Sequence, residues 1–150
     1  MRGPRRRAPL SWPGLGNVFA RFSPASRRVL RAAEQECRNH NQYYVGAEHL
    51  MLALLEERDT NSLQALVAEG IDVRELHAEV RRALGAGEDR LWEGILVTPR
   101  VRKIVALAEE HAGERAVEPL DLLKALQAEG GSLAAHMLRS AARNTPARTE

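Results

Sequence analysis

The sequence contains a single cysteine, Cys37, among 150 residues, which excludes a disulfide within the chain and fits a reducing, cytoplasmic setting. Aromatic residues make up only 4%. No apolar run approaches the roughly 20 residues of a membrane-spanning helix, so no membrane association is expected. A Gly-x-x-x-x-Gly-Lys-Ser/Thr phosphate loop is absent, which excludes P-loop nucleotide hydrolysis. The five histidines, His40, His49, His77, His111 and His136, lack the paired spacing of a metal site. Serine, histidine and aspartate all occur, yet no motif groups them as a nucleophilic triad. Neither a catalytic activity, a metal nor a cofactor is therefore expected.

What is present is helix-forming material. Ala, Leu, Glu and Arg dominate, apolar residues reach 44%, and charged residues make up 28%, the balance of one modest globular domain. Charge is unevenly placed. Residues 1–21 carry five arginines (Arg2, Arg5, Arg6, Arg7 and Arg21) and no acid, so the remainder is net acidic although the whole chain is +2. Residues 1–17, rich in Arg, Pro and Gly and without an apolar stripe, read as a disordered basic tail, and residues 145–150 as a disordered end.

The strongest signal is internal repetition. Phe22-Ser-Pro-Ala-Ser-Arg-Arg-Val-Leu returns as Val97-Thr-Pro-Arg-Val-Arg-Lys-Ile-Val at an offset of 75. Val45-Gly-Ala-Glu-His-Leu-Met-Leu-Ala-Leu returns from Val117 at an offset of 72, and Ser62-Leu-Gln-Ala returns from Ser132 at an offset of 70. The order is kept and the offset shrinks, so the second copy has shorter loops. The boundaries follow: repeat one over about 18–84, a linker over 85–96, and a truncated repeat two over 97–144.

Each copy reads as short helices. Ser23 and Thr98 are N-caps followed by Pro24 and Pro99 at the first helical position. The stripes Val29, Leu30, Ala33, Cys37 and Val101, Ile104, Val105, Ala108 follow at helical spacing. Helices are also expected over about 47–56, 62–68, 73–84, 119–127 and 132–142. The near-continuous apolar run of Leu50–Leu55 marks the second as the central, buried one. Little reads as strand. The expected fold is all-α, an array of about seven short helices in two pseudo-symmetric repeats.

Residues 18 to about 144 resemble the Clp N-terminal repeat domain found at the front of ClpA- and ClpC-type unfoldases. The resemblance rests on Phe19-Ala-Arg-Phe-Ser-Pro, Arg27-Arg-Val-Leu, Val45-Gly-Ala-Glu-His-Leu-Met-Leu-Ala-Leu-Leu55 and Thr98-Pro-Arg-Val-Arg-Lys103. It implies a non-enzymatic module, free-standing here without ATPase modules, that binds peptides or proteins. Its expected partners are Clp ATPase or protease components, adaptors or substrate proteins. It would dock cargo or modulate the machine.

The resemblance also implies a site. In ClpC-type domains a helix-capping Ser/Thr and a Glu help to hold phosphorylated arginine, the helix end taking phosphate and the carboxylate taking guanidinium. Repeat one keeps both, as Ser23 and Glu48. Repeat two keeps Thr98 but has Leu120 in place of the Glu, a degenerate second site. Glu118 is two positions away and faces elsewhere on a helix. The alternative function is a nucleic-acid-associated regulator using the arginine-rich tail, although nucleic acid is not the expected partner.

Overall fold

The computed structural model describes residues 18–42, 44–85 and 96–144; the basic tail, most of the linker and residues 145–150 lie outside them. After a short 3-10 turn at Val18–Arg21 come α1 (Pro24–Asn39), β1 (Tyr44–Val45), α2 (Ala47–Glu57), α3 (Thr60–Ala68) and α4 (Val73–Leu84). Then follow β2 (Leu96–Val97), α5 (Pro99–Ala112), α6 (Pro119–Glu129) and α7 (Leu133–Asn144). The protein is all-α; extended pairing among the described residues is confined to the two-residue strands and one isolated bridge.

Local chemistry sets the helix starts. The Ser23 hydroxyl accepts from Ser26 N at 3.1 Å and Thr98 Oγ1 accepts from Val101 N at 3.2 Å, each satisfying a donor that the helix leaves unpaired. Both stripes bury: Val29, Leu30, Ala33 and Cys37 from α1, and Val101, Ile104, Val105 and Ala108 from α5. One start differs from the expectation. α3 begins at Thr60 rather than Ser62, because Asp59 Oδ2 accepts from Ser62 N and from the Ser62 hydroxyl, both at 3.0 Å. Ser132, by contrast, does cap α7, accepting from Ala135 N at 3.0 Å. The two serines matched in the repeat thus hold different positions on their helices.

α1 and α2 form an antiparallel pair, closed at one end by Arg28 Nη2 and Glu57 Oε1 at 2.8 Å. α5 and α6 repeat this, with Arg100 Nε 3.3 Å from Glu129 Oε1. The repeats interlock by exchange. Thr98 N, entering α5, donates to Val45 O, entering α2, at 3.2 Å. Ser23 N, entering α1, donates to Val117 O, entering α6, at 3.0 Å. Tyr44 and Val45 pair in parallel with Leu96 and Val97, and Phe22 forms a parallel bridge with Val117. Likewise α3 packs across on α6 while α7 packs across on α2. A pseudo-two-fold axis relates the repeats, and the core lies between them.

α4 breaks the symmetry. It packs on α2, α3 and α7, and among the described residues no helix holds the equivalent place over α6. Side-chain polarity follows. From Ala47 to Leu55 the second helix buries every residue except half-buried Glu48. The positions in α6 equivalent to Leu52 and Leu55 are Lys124, exposed, and Gln127, half-buried. A hydrophobic face would be costly there without a helix to cover it. Leu52→Lys should therefore destabilise the protein by about 3 kcal/mol or more, since it buries an unpaired charge. Lys124→Leu should change stability by less than about 1 kcal/mol. Denaturant unfolding followed by circular dichroism checks both.

Candidate functional site

Ser23 and Glu48 do not meet. Each sits at the N-terminus of one member of an antiparallel pair, and α1 is 16 residues long, about 24 Å. The Arg28–Glu57 contact places the start of α1 beside the end of α2, so Ser23 and Glu48 fall near opposite ends. The pairing expected within repeat one fails because neighbours in a repeat's sequence occupy opposite ends of its helical hairpin.

The exchange between repeats supplies different partners. Through the Thr98 N to Val45 O hydrogen bond, the N-cap of α5 lies against the chain entering α2, three residues before Glu48. Two helix N-termini converge here with a carboxylate, a half-buried hydroxyl and Tyr44, which is 40% exposed. Gly46 makes room: a Cβ there would stand 3.3 Å from Glu48 Oε2 and 3.5 Å from both His49 Nδ1 and the Tyr44 ring. The Glu48 carboxylate therefore folds back over the start of its own helix, where the helix dipole favours negative charge. Tyr44 escaped the sequence reading; its signal was an aromatic immediately before the Val45-Gly46 segment in a chain with few aromatics.

The reciprocal place holds Ser23 beside Val117 and the start of α6. It is closed. Ser23 is buried, and its hydroxyl, while accepting from Ser26 N, donates to Ser26 Oγ at 3.1 Å; Ser26 Oγ in turn donates to Val117 O at 2.7 Å. The equivalent of Ser26 in α5 is Val101, so Thr98 meets no such hydroxyl. Leu120 contributes no charge, and Glu118 is the exposed N-cap residue of α6.

Behind each place stands one buried polar side chain in the first turn. His49 Nδ1 accepts from Gly46 N at 2.9 Å, so the ring proton sits on Nε2 and is donated to Gln42 Oε1 at 2.5 Å. Tyr44 packs edge-on against this ring, the centroids 5.7 Å apart. In α6 the same position is Asp121, whose Oδ2 accepts from Glu118 N at 2.8 Å. Burial alone would raise the Asp121 pKa, but hydrogen bonds from Arg115, Glu118 N and His111 outweigh it and hold the group at about 2. Cys37 is a core residue: its Sγ lies 2.8 Å from Gln42 O and 3.0 Å from Tyr44 O, and burial pushes the thiol up to about 11. That leaves it without nucleophilic character near neutrality. Among the described residues no cluster of His, Cys, Asp and Glu could hold a metal ion, and no helix is long and apolar enough to cross a membrane.

Burial, aided by the charge of His40, pushes the His49 pKa down from 6.5 to about 4. A depressed pKa means that the unfolded chain takes up protons first. The stability due to neutral His49 is then complete above pH 6.5 and is lost as pH falls through 4. That loss should amount to about 3 kcal/mol in this fully buried side chain. His49→Gln should remove this acid slope while lowering stability at pH 7 by about 1–3 kcal/mol. Denaturant titrations from pH 7 to 4 measure both.

Comparison with known proteins accords with this architecture. An ATP-dependent Clp protease ATP-binding subunit ClpA homolog from Cyanidium caldarium is 31% identical over 134 residues, 87% of this chain and 16% of that protein. Chaperone protein ClpB of Oceanobacillus iheyensis is 29% identical over 126 residues, 82% of this chain and again 16% of the relative. The chain thus spans only a small fraction of the length of these relatives. The N-domain of ClpV from Vibrio cholerae shares the fold, with a TM-score of 0.69, 14% identity, and coverage of 91% of this chain and 86% of that one. Residues 21–141 match the family described as the Clp repeat (R) N-terminal domain, and the chain belongs to that family.

Proposed function

We propose that this protein is a non-enzymatic docking module of the Clp chaperone–protease system, and that it accepts partner proteins through phosphorylated arginine at the Thr98–Glu48 junction. The observation that carries the reading is the hydrogen bond from Thr98 N to Val45 O, which brings the N-cap of α5 to the segment ending in Glu48. The ligand's phosphate would lie at the α5 N-terminus beside the Thr98 hydroxyl. Glu48 would take the guanidinium, and the exposed ring of Tyr44 would pack on its face. Only one such site is proposed, because Ser23 is consumed in an internal hydrogen-bond chain and Leu120 carries no charge. The chain would act in the cytoplasm, binding substrates or adaptors and presenting them to a Clp machine. The nucleic-acid alternative rests on residues 1–17, outside the described residues.

Titration calorimetry with free phosphoarginine tests the site. A charge-assisted contact is worth about 1.5–3 kcal/mol, so Glu48→Ala should weaken binding by about ten-fold or more. Thr98→Ala should weaken it several-fold. Ser23→Ala should leave affinity unchanged while costing about 1 kcal/mol of stability through loss of the cap. Absence of binding at millimolar ligand, or equal binding by wild type and Glu48→Ala, overturns the proposal.

A further inference from the structure

Glu48 stands at the start of α2; the other end of that helix, 11 residues or about 16 Å away, opens onto a surface that the proposed site does not use. An open groove of about 1190 Å³ runs there between the end of α2, α3, the turn after α3 and the beginning of α4. Leu55, Leu63, Val67, Ile71 and Val73 give it an apolar lining. Val67, at 63%, is the most exposed large apolar side chain among the described residues. The groove exceeds the roughly 300–1,000 Å³ of clefts for drug-sized ligands, so its size suits a stretch of polypeptide. Each acid on the rim has a counterpart. Glu56 Oε1 lies 3.0 Å from His77 Nε2, and Asp72 Oδ1 accepts from Glu75 N at 3.1 Å where the α4 dipole favours negative charge. Glu69 Oε2 accepts from Gln127 Nε2 at 3.2 Å and lines an adjoining cavity with Arg139. The two arginines of the rim are different. Arg58, directly after α2, and Arg74, in the first turn of α4, are exposed, and neither has an ion-pair partner among the described residues. Arg58 is also held in the left-handed region, at φ 55° and ψ 37°. A Cβ disfavours that conformation, and the equivalent residue 72 positions on, which ends α6 at φ 71°, is Gly130. Repeat two uses the unstrained residue, whereas repeat one keeps a strained arginine at the lip of the groove, an outlier that points to a use for its side chain.

We propose that this groove docks a segment of another protein in which apolar residues are flanked by carboxylates. The apolar side chains lie on Val67 and its neighbours, and the carboxylates pair with the Arg58 and Arg74 guanidinium groups, whose planar forks suit bidentate contact. An apolar surface rimmed by polar groups is the common form of a protein-binding patch. The chain's own ends do not have this chemistry. Residues 1–17 carry four arginines and no acid, which the rim arginines repel, and residues 145–150 contain no Leu, Ile, Val, Met or aromatic residue to fill the lining. The groove is separate from the phosphoarginine site: it lies at the other end of α2 and requires neither Glu48 nor a phosphate.

Fluorescence anisotropy with the full chain and a fluorescein-labelled peptide of leucines flanked by glutamates, unphosphorylated and free of arginine, tests the proposal. The peptide should bind, and replacing its glutamates by glutamines should weaken binding by about ten-fold or more, the value of a charge-assisted contact. Arg58→Gly should weaken binding by about ten-fold while raising the urea midpoint of unfolding, because glycine takes the left-handed conformation without strain. This opposite movement of affinity and stability separates a binding role from a structural one, and Gly130 shows that the turn accepts glycine. Arg74→Gln should weaken binding comparably, and Val67→Asp should abolish it. Glu48→Ala should leave this affinity unchanged whatever it does to phosphoarginine, so the two surfaces stand or fall separately. No binding at millimolar peptide, equal binding of the glutamate and glutamine peptides, or wild-type affinity in Arg58→Gly refutes the proposal. Sedimentation velocity decides whether a second copy takes the groove instead: a dimer that Val67→Asp dissociates counts against a foreign segment, and a monomer that binds the peptide one-to-one supports it.

Discussion

Two reciprocal backbone hydrogen bonds hold this fold in register: Ser23 N to Val117 O and Thr98 N to Val45 O. Each joins the residue that caps the first helix of one repeat to the chain entering the second helix of the other. Because these are main-chain bonds in the buried interior, leaving either unmade would strand polar groups away from water, a cost comparable to a lost hydrogen bond. They also specify geometry. Once the helix entries are paired, α1 and α2 must run antiparallel across one side of the axis and α5 and α6 across the other, with the apolar stripes facing inward.

The same constraint explains the buried polar residues. A helix start held in the interior needs its first amide donors satisfied without water. In α2 this is done by neutral His49 and in α6 by ionised Asp121, each accepting from the amide three residues before it. The two solutions differ in their surroundings. His49 is fully buried and surrenders its proton-binding capacity. Asp121 keeps its charge because Arg115 and His111, both partly in solvent, supply compensating donors. Equivalent geometry is thus achieved by side chains of opposite acid–base character, and a sequence comparison of the repeats registers the position only as a mismatch.

Divergence between the repeats follows from what covers them. α4 lies on α2, and α2 is apolar almost throughout; α6 has no such cover among the described residues and exposes Lys124. The interlock also distributes polar side chains asymmetrically. Each place at the repeat interface combines a cap from one repeat with a helix start from the other, so Leu120, which lacks a carboxylate, falls at the place of Ser23 and Glu48 at the place of Thr98. Opposite that loss, Ser26 ties the Ser23 hydroxyl into the backbone of Val117. One place is packed shut and the other remains open at the surface.

Sequence alone determined the helices, because the information they need is local. Ser23-Pro24 and Thr98-Pro99 carry their own capping chemistry, and the stripes through Val29 and Ile104 carry their own periodicity. It also determined that the unit is doubled, since the repeated order of blocks survives in the residues themselves. The start of α3 was misplaced by two residues because Asp59 and Ser62 can each cap a helix, and the choice rests on which side chain the fold lets reach the amide. The short strands were illegible for a related reason: two-residue parallel bridges have no periodicity and exist only where distant segments meet. Only the tertiary structure decided which cap stands beside Glu48. Sequence order favoured Ser23, within the same repeat. The antiparallel packing of α1 on α2 carries Ser23 to the far end, and the exchange of backbone hydrogen bonds brings in Thr98, from the other repeat, in its place.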